Sequence, residues 1–104
     1  MDGDLERDVE RYFKKELDRR GCLVMKFVSP GLAGVPDRIV LFPLGRVEFV
    51  ELKRDGEKPR PLQRGVMRLF AMRDVHVHVI AGKREVDRFV RMMEESGAFG
   101  LYGQ

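Results

Sequence analysis

The chain has 104 residues, a length that suits one compact domain and leaves little room for a second. Hydrophobic residues make up 43% and charged ones 36%, enough apolar material for a modest core, which excludes wholesale disorder. No apolar run approaches the ~20 residues of a membrane span, the acidic start (Asp2, Asp4, Glu6, Asp8) is unlike a targeting peptide, and the single cysteine, Cys22, excludes an internal disulfide. A reducing cytoplasm, bacterial or that of a phage host, is the expected setting.

In chain order, residues 4–20 predict a helix: Leu5, Val9, Phe13 and Leu17 recur every four positions, acids fill the first turn, Arg19 and Arg20 the last, and Gly21 stops it. Residues 22–28 predict a buried strand, with Cys22 as a small core residue, and 29–34 a loop. Strands over 36–42 and 46–53 flank Pro43-Leu44-Gly45. A helix over about 61–72, a strand over 75–80 and a helix over about 84–95 follow, the last marked by Val86, Phe89, Val90 and Met93. The domain thus spans 1–104, with its core over about 5–95 and a Gly-rich tail over 97–104 that is either loose or docked on a partner. The order αβββαβα predicts an α/β fold, a mixed sheet with helices on its faces.

Charge is unevenly spread. The whole chain carries a net +3, yet residues 53–68 alone place Lys53, Arg54, Lys58, Arg60, Arg64 and Arg68 against Asp55 and Glu57. Such a patch suits a polyanion, because each phosphate contacted releases condensed counterions; by charge alone it equally describes a solvated surface.

The hairpin carries the most information. In a three-residue loop Pro43 presets the first turn position and Gly45 tolerates the left-handed third one. Phe42 then pairs with Arg46, and Asp37 falls opposite Glu51, on the face that also holds Ile39, Leu41, Val47, Phe49 and Lys53. Two opposed carboxylates destabilise a sheet unless something positive sits between them. Lys53 can supply that charge as a salt bridge at the sheet edge; a hard divalent cation such as Mg²⁺ matches carboxylates and carbonyl oxygens better. A two-residue Leu44-Gly45 turn would set Asp37 opposite Leu52 instead.

Gly34-Val35-Pro36-Asp37, then Glu51-Leu52-Lys53, resembles the signature of the PD-(D/E)XK nucleases. The fuller string, Lys26 to Gly31, Gly34 to Arg38, Val50 to Lys53 and Pro61-Leu62-Gln63, resembles their VRR-NUC branch (virus-type replication-repair nucleases) over roughly residues 5–90. The resemblance implies a restriction-endonuclease-like mixed β-sheet flanked by helices. It implies Asp37, Glu51 and the backbone carbonyl of Leu52 as ligands of Mg²⁺ or Mn²⁺, and Lys53 as the residue that orients water or stabilises charge. Glu10 joins that set, since Glu10, Phe13, Leu17 and Gly21 reproduce the spacing of the family's first helix. Its other reading is an exposed partner of Lys14, and Glu6, on the same helix face, competes with it. Gln63 matches a helix glutamine that positions phosphate or a metal-bound water. Lys26, Ser29 and Arg38 match the branch and are candidates to touch DNA. Arg54, Lys58, Arg60 and Arg64 are candidates to hold its backbone without reading sequence.

The implied activity is a metal-dependent DNA endonuclease, structure-selective on branched DNA such as Holliday junctions or flaps, in a replication or repair setting. Apolar residues within 86–102, taken as exposed, suggest a homodimer. The alternatives are a non-catalytic nucleic-acid-binding module on the same fold and a protein-interaction domain built on the Met-rich last helix. His76 and His78 point the same way from one strand, with no third zinc ligand in view, and read as the polar side of that strand.

Overall fold

The computed structural model describes residues 5–103. The first helix, α1, runs Glu6–Asp18. Its acidic first turn complements the positive helix end, and Asp8 accepts a hydrogen bond from the Leu5 N–H at 3.1 Å. Asp2 and Asp4, and the expected helix start at residue 4, lie outside the described residues, as does Gln104 at the end of the tail.

Strand β1 (Leu23–Lys26) rises from Gly21, β2 (Arg38–Leu41) returns antiparallel to it, and β3 (Val47–Lys53) returns antiparallel to β2. Helix α2 (Pro61–Ala71) then crosses over to β4 (Val77–Ala81), which lies parallel to β3; helix α3 (Lys83–Glu95) and a 3₁₀ turn (Gly100–Gly103) complete the chain. The sheet order β1-β2-β3-β4 is mixed, as the element order predicts. The hairpin register also follows the turn chemistry: Phe42 N–H donates to the Arg46 carbonyl at 2.8 Å, Arg38 faces Val50, and Gly45 sits at φ 97°.

Alternation along the strands sorts the two faces. Val40, Phe42, Val50, Leu52 and Ile80 point toward α1 and α3 and meet Val9, Phe13, Leu17, Val86, Phe89, Val90 and Met93, all buried. Phe42 anchors this layer between Phe89 and Phe99, with ring centroids 6.5 and 5.4 Å away. The opposite face carries α2, whose Phe70 meets Phe49 edge-on at 5.3 Å. One helix does not cover four strands, so Leu23 and Val47 are about half exposed there.

Three expectations change. The strand over 22–28 is an edge strand and largely exposed rather than buried: its apolar run reflects a half-covered face, and only Cys22 before it reaches the core, where burial pushes its thiol up to about 11. The tail is not loose over its described residues. Ala98 and Phe99 are buried in the chain's own core, and the Tyr102 ring lies against Gly21. For the same reason residues 86–102 are not an exposed apolar strip; Val86, Phe89, Val90 and Met93 are internal, and only Met92, Leu101 and Tyr102 remain as large exposed hydrophobics.

Candidate active site

The candidate site forms at the end of the sheet opposite the β2–β3 hairpin, where Asp37 enters β2 and Glu51 and Lys53 finish β3. Two residues before Asp37 set its position. Gly34 holds φ +90°, and a Cβ there would lie 3.0 Å from Leu62 Cγ and 3.2 Å from the Leu62 carbonyl, so the loop packs on α2 only as glycine. Pro36 is fully buried. The β2–β3 register continues to set position 36 opposite Leu52. A ladder there would need an N–H at 36 for the Leu52 carbonyl, and proline has none. The Leu52 N–H turns instead to the Asp37 side chain, donating to Oδ1 at 3.2 Å. A strand carbonyl is thus left open beside a carboxylate.

Glu51 and Lys53 share one face of β3 and are both buried, at 4% and 6% exposure. Lys53 Nζ lies 3.3 Å from Glu51 Oε2, a buried ion pair on an inner strand rather than a surface bridge at the sheet edge. That same oxygen accepts a 2.7 Å hydrogen bond from Gln63 Nε2. Gln63 stands in the first turn of α2, and its Oε1 accepts the Arg60 N–H at 2.9 Å. Both ends of its amide are therefore occupied, one by the helix start and one by the carboxylate.

Helix α1 brings further acids to the same end. Oxygens of Glu6, Glu10 and Asp37 lie within 4.8 Å of one another. Glu6, Asp37, Glu51, Lys53 and Gln63 all line a cleft of about 550 Å³, whose wall also includes Ser29, Glu57 and Arg60. Glu10 is not part of that cleft's lining and pairs with Arg38 at 3.2 Å. Both α1 glutamates thus approach Asp37, but Glu6 is the one that reaches the cleft wall. Burial, and next the Glu51 charge, push the Asp37 carboxyl up to about 6, against the Leu52 N–H and Arg38, which favour its charged form. Glu6 is also raised, by burial first and then by Glu57, with Lys53 opposing.

The cationic candidates separate. Arg38, expected to touch DNA, is 8% exposed and internal: it pairs with Glu10 and lies 3.8 Å from Asp37 Oδ1. It is a counter-ion inside the acid cluster rather than a freely exposed cation. Arg54, Lys58, Arg60 and Arg64 are exposed beside the cleft, Arg64 donating to the Pro59 carbonyl at 2.7 Å. Lys26 is exposed on the far side of Glu10 and Arg38. Sequence reasoning missed Glu57 in the wall, which no motif marks.

Of the two histidines, His76 is exposed just before β4, while His78 is less superficial than expected. His78 is half-buried, 2.7 Å from Glu48 and edge-on to Phe89 at 5.0 Å, with His76 stacked edge-on at 4.6 Å. Burial holds the His78 imidazole below its ordinary range; at Glu48 the effect of burial is outweighed by hydrogen bonds from Arg46 and His78, which bring the carboxyl down. They form a structural pair on the α3 side of the sheet. Parallel pairing of β3 with β4 creates this contact, and no turn in the sequence announces it.

No family model matches the chain. It is 48% identical over 68 residues to the protein named "Putative nuclease p44" of Acyrthosiphon pisum secondary endosymbiont phage 1, spanning 64% of this chain and 73% of that relative. A solved structure titled "VRR_NUC domain" superposes with a TM-score of 0.78 at 34% identity, covering 83% of this chain and 94% of the other. A second, titled "VRR_NUC domain protein", superposes at 0.66 with 17% identity over 94% of this chain and 92% of its own, a likeness of fold.

Proposed function

The chain belongs to the VRR-NUC family of nucleases, and from that premise we propose that it is an endonuclease that hydrolyses phosphodiester bonds of DNA with Mg²⁺ or Mn²⁺. The observation that carries the reading is the gathering of Glu6, Glu10 and Asp37 oxygens within 4.8 Å of one another, where burial first and the Glu51 charge next raise the Asp37 carboxyl to about 6. Bringing these acids together is unfavourable unless a cation joins them. Their donor chemistry fits a hard ion, since carboxylates and a strand carbonyl offer oxygen alone.

In this reading Asp37, Glu51 and the Leu52 carbonyl hold the ion, with Glu6 or Glu10 completing the set. When bound, such an ion lowers the pKa of a coordinated water and polarises a phosphoryl oxygen. Lys53, buried and fixed against Glu51, presents positive charge where negative charge gathers on the phosphorus oxygens. Gln63 acts as a positioning residue, its amide holding the Glu51 carboxylate from behind. Arg60 at the cleft wall, with Arg54, Lys58 and Arg64 nearby, holds the sugar–phosphate backbone without reading bases.

Preference for branched or flapped DNA, in a replication or repair setting, extends the reading and rests on the family resemblance. A homodimer would deliver paired cuts; the exposed Leu44, Leu101 and Tyr102, gathered where Leu44 lies against Gly100, are its best support. The test is cleavage of duplex, flap and four-way-junction DNA with Mg²⁺, Mn²⁺ or EDTA. Cutting that requires metal and disappears in Asp37→Ala, Glu51→Ala and Lys53→Ala is expected. Binding that persists in EDTA with no metal-dependent cutting would instead favour a non-catalytic module.

A further inference from the structure

A groove of about 350 Å³ lies between α1 and the edge strand β1, behind the candidate active site. Arg7, Arg11 and Lys14 line it from α1, Lys26 from β1, and Arg38 from β2, with Glu10 the one acid in its wall. Glu10 and Arg38 also form the partition toward Asp37, so the groove is continuous with the catalytic end of the sheet. Among the described residues Arg7, Arg11 and Lys26 enter no ion pair, whereas the lining cations Lys14 and Arg38 do.

Helix stability argues against such a placement. Arg7 stands in the first turn, beside the positive helix end. Arg7 and Arg11 are spaced i,i+4 and Arg11 and Lys14 i,i+3, so like charges are stacked along one stripe. Local conflicts of this kind mark positions set by something other than folding. The stripe faces an open groove, and its charge complements a row of phosphates.

We propose that this α1–β1 groove is a second DNA-backbone track, binding the phosphates of the segment that flanks the scissile bond, with Arg7 and Arg11 as its principal contacts. The substrate then lies across the strand ends between two cationic banks, the loop before α2 on one side and α1 on the other. The proposal rests on the nuclease reading for its substrate, and it adds residues that no motif marks.

The test separates the two. Binding of a fluorescently labelled duplex is measured in EDTA across a salt series, and hydrolysis is measured on duplex and on bis(p-nitrophenyl) phosphate, which has no flanking DNA. Each phosphate contact contributes about 0.9 to the slope of log K against log salt, so Arg7→Gln/Arg11→Gln should flatten it by about 2. The same variant should raise KM on duplex and leave turnover of the small ester at the parent value. Arg7→Lys/Arg11→Lys should restore the slope. As a control for net charge, Arg73→Gln/Arg91→Gln removes two exposed cations elsewhere and should leave the slope unchanged. A parental slope in the Arg7/Arg11 variant, an equal loss in the control, or no duplex binding by the parent overturns the groove assignment. A parent that binds duplex yet hydrolyses neither substrate with metal overturns the nuclease reading and leaves the groove standing.

Discussion

Asp37→Asn is the most informative single perturbation. Its carboxyl has an ordinary pKa of 3.8 and is raised to about 6 in the fold, by burial and by the Glu51 charge. A raised acid binds its proton more tightly in the folded chain than in the unfolded one. The metal-free protein is therefore unaffected by this group at pH values below the unfolded pKa, loses stability as pH climbs from about 4 to about 6, and carries the whole penalty above that. Two units at roughly 1.4 kcal/mol each give a penalty of about 3 kcal/mol. Asn keeps the shape and can still accept the Leu52 N–H while removing the charge. In urea denaturation with EDTA, the variant should be about 2–3 kcal/mol more stable than the parent near pH 8 and equal to it near pH 4, while cleavage falls to background. Equal stability of the two proteins at high pH would refute the claim that burial and the Glu51 charge penalise the ionised Asp37 carboxylate.

Other substitutions probe the supports. Gln63→Ala leaves the buried Glu51 oxygen and the Arg60 N–H each short of a partner and should cost about 1–3 kcal/mol in chemical denaturation. Gly34→Ala forces a Cβ onto α2 at positive φ; about 1–3 kcal/mol of destabilisation is expected by thermal melting, with Ala at the fully open Gly31 as the neutral comparison. Pro36→Ala returns an N–H to the position facing the Leu52 carbonyl. Beyond a loss of about 1 kcal/mol from greater unfolded-chain freedom, it should raise the Mn²⁺ concentration needed for half-maximal cleavage, which an unchanged metal requirement would contradict.

What the sequence made legible was decided by local chemistry. Proline and glycine at the first and third loop positions fixed the β2–β3 register, and with it the placement of Asp37 opposite Glu51. The helices followed from apolar periodicity and end signals. Position in the sheet was not legible: Leu23 to Lys26 is apolar enough for a central strand, and only the strand order makes it an edge. Arg38 reads as one more surface cation until α1 brings Glu10 to it across 28 positions of chain. Glu6 and Glu10 occupy one helical stripe, and only the folded chain shows that Glu6 is the one lining the cleft. Position does not assign a role: that Asp37, Glu51, Lys53 and Gln63 meet in one cleft leaves their chemistry to the cleavage assays.

The three-residue connection at Pro43–Gly45 stands at the opposite pole from the acids, yet it governs them. Side chains along β3 alternate with a period of two, so adding or deleting one residue in that bend would slide the strand by one notch. Glu51 and Lys53 would then rotate toward α1 and α3, and Val50 and Leu52 would lose their seat in the core. The tip of a surface turn is thus an indexing device for chemistry a strand's length away, and insertions there should be far less tolerated than its exposure suggests.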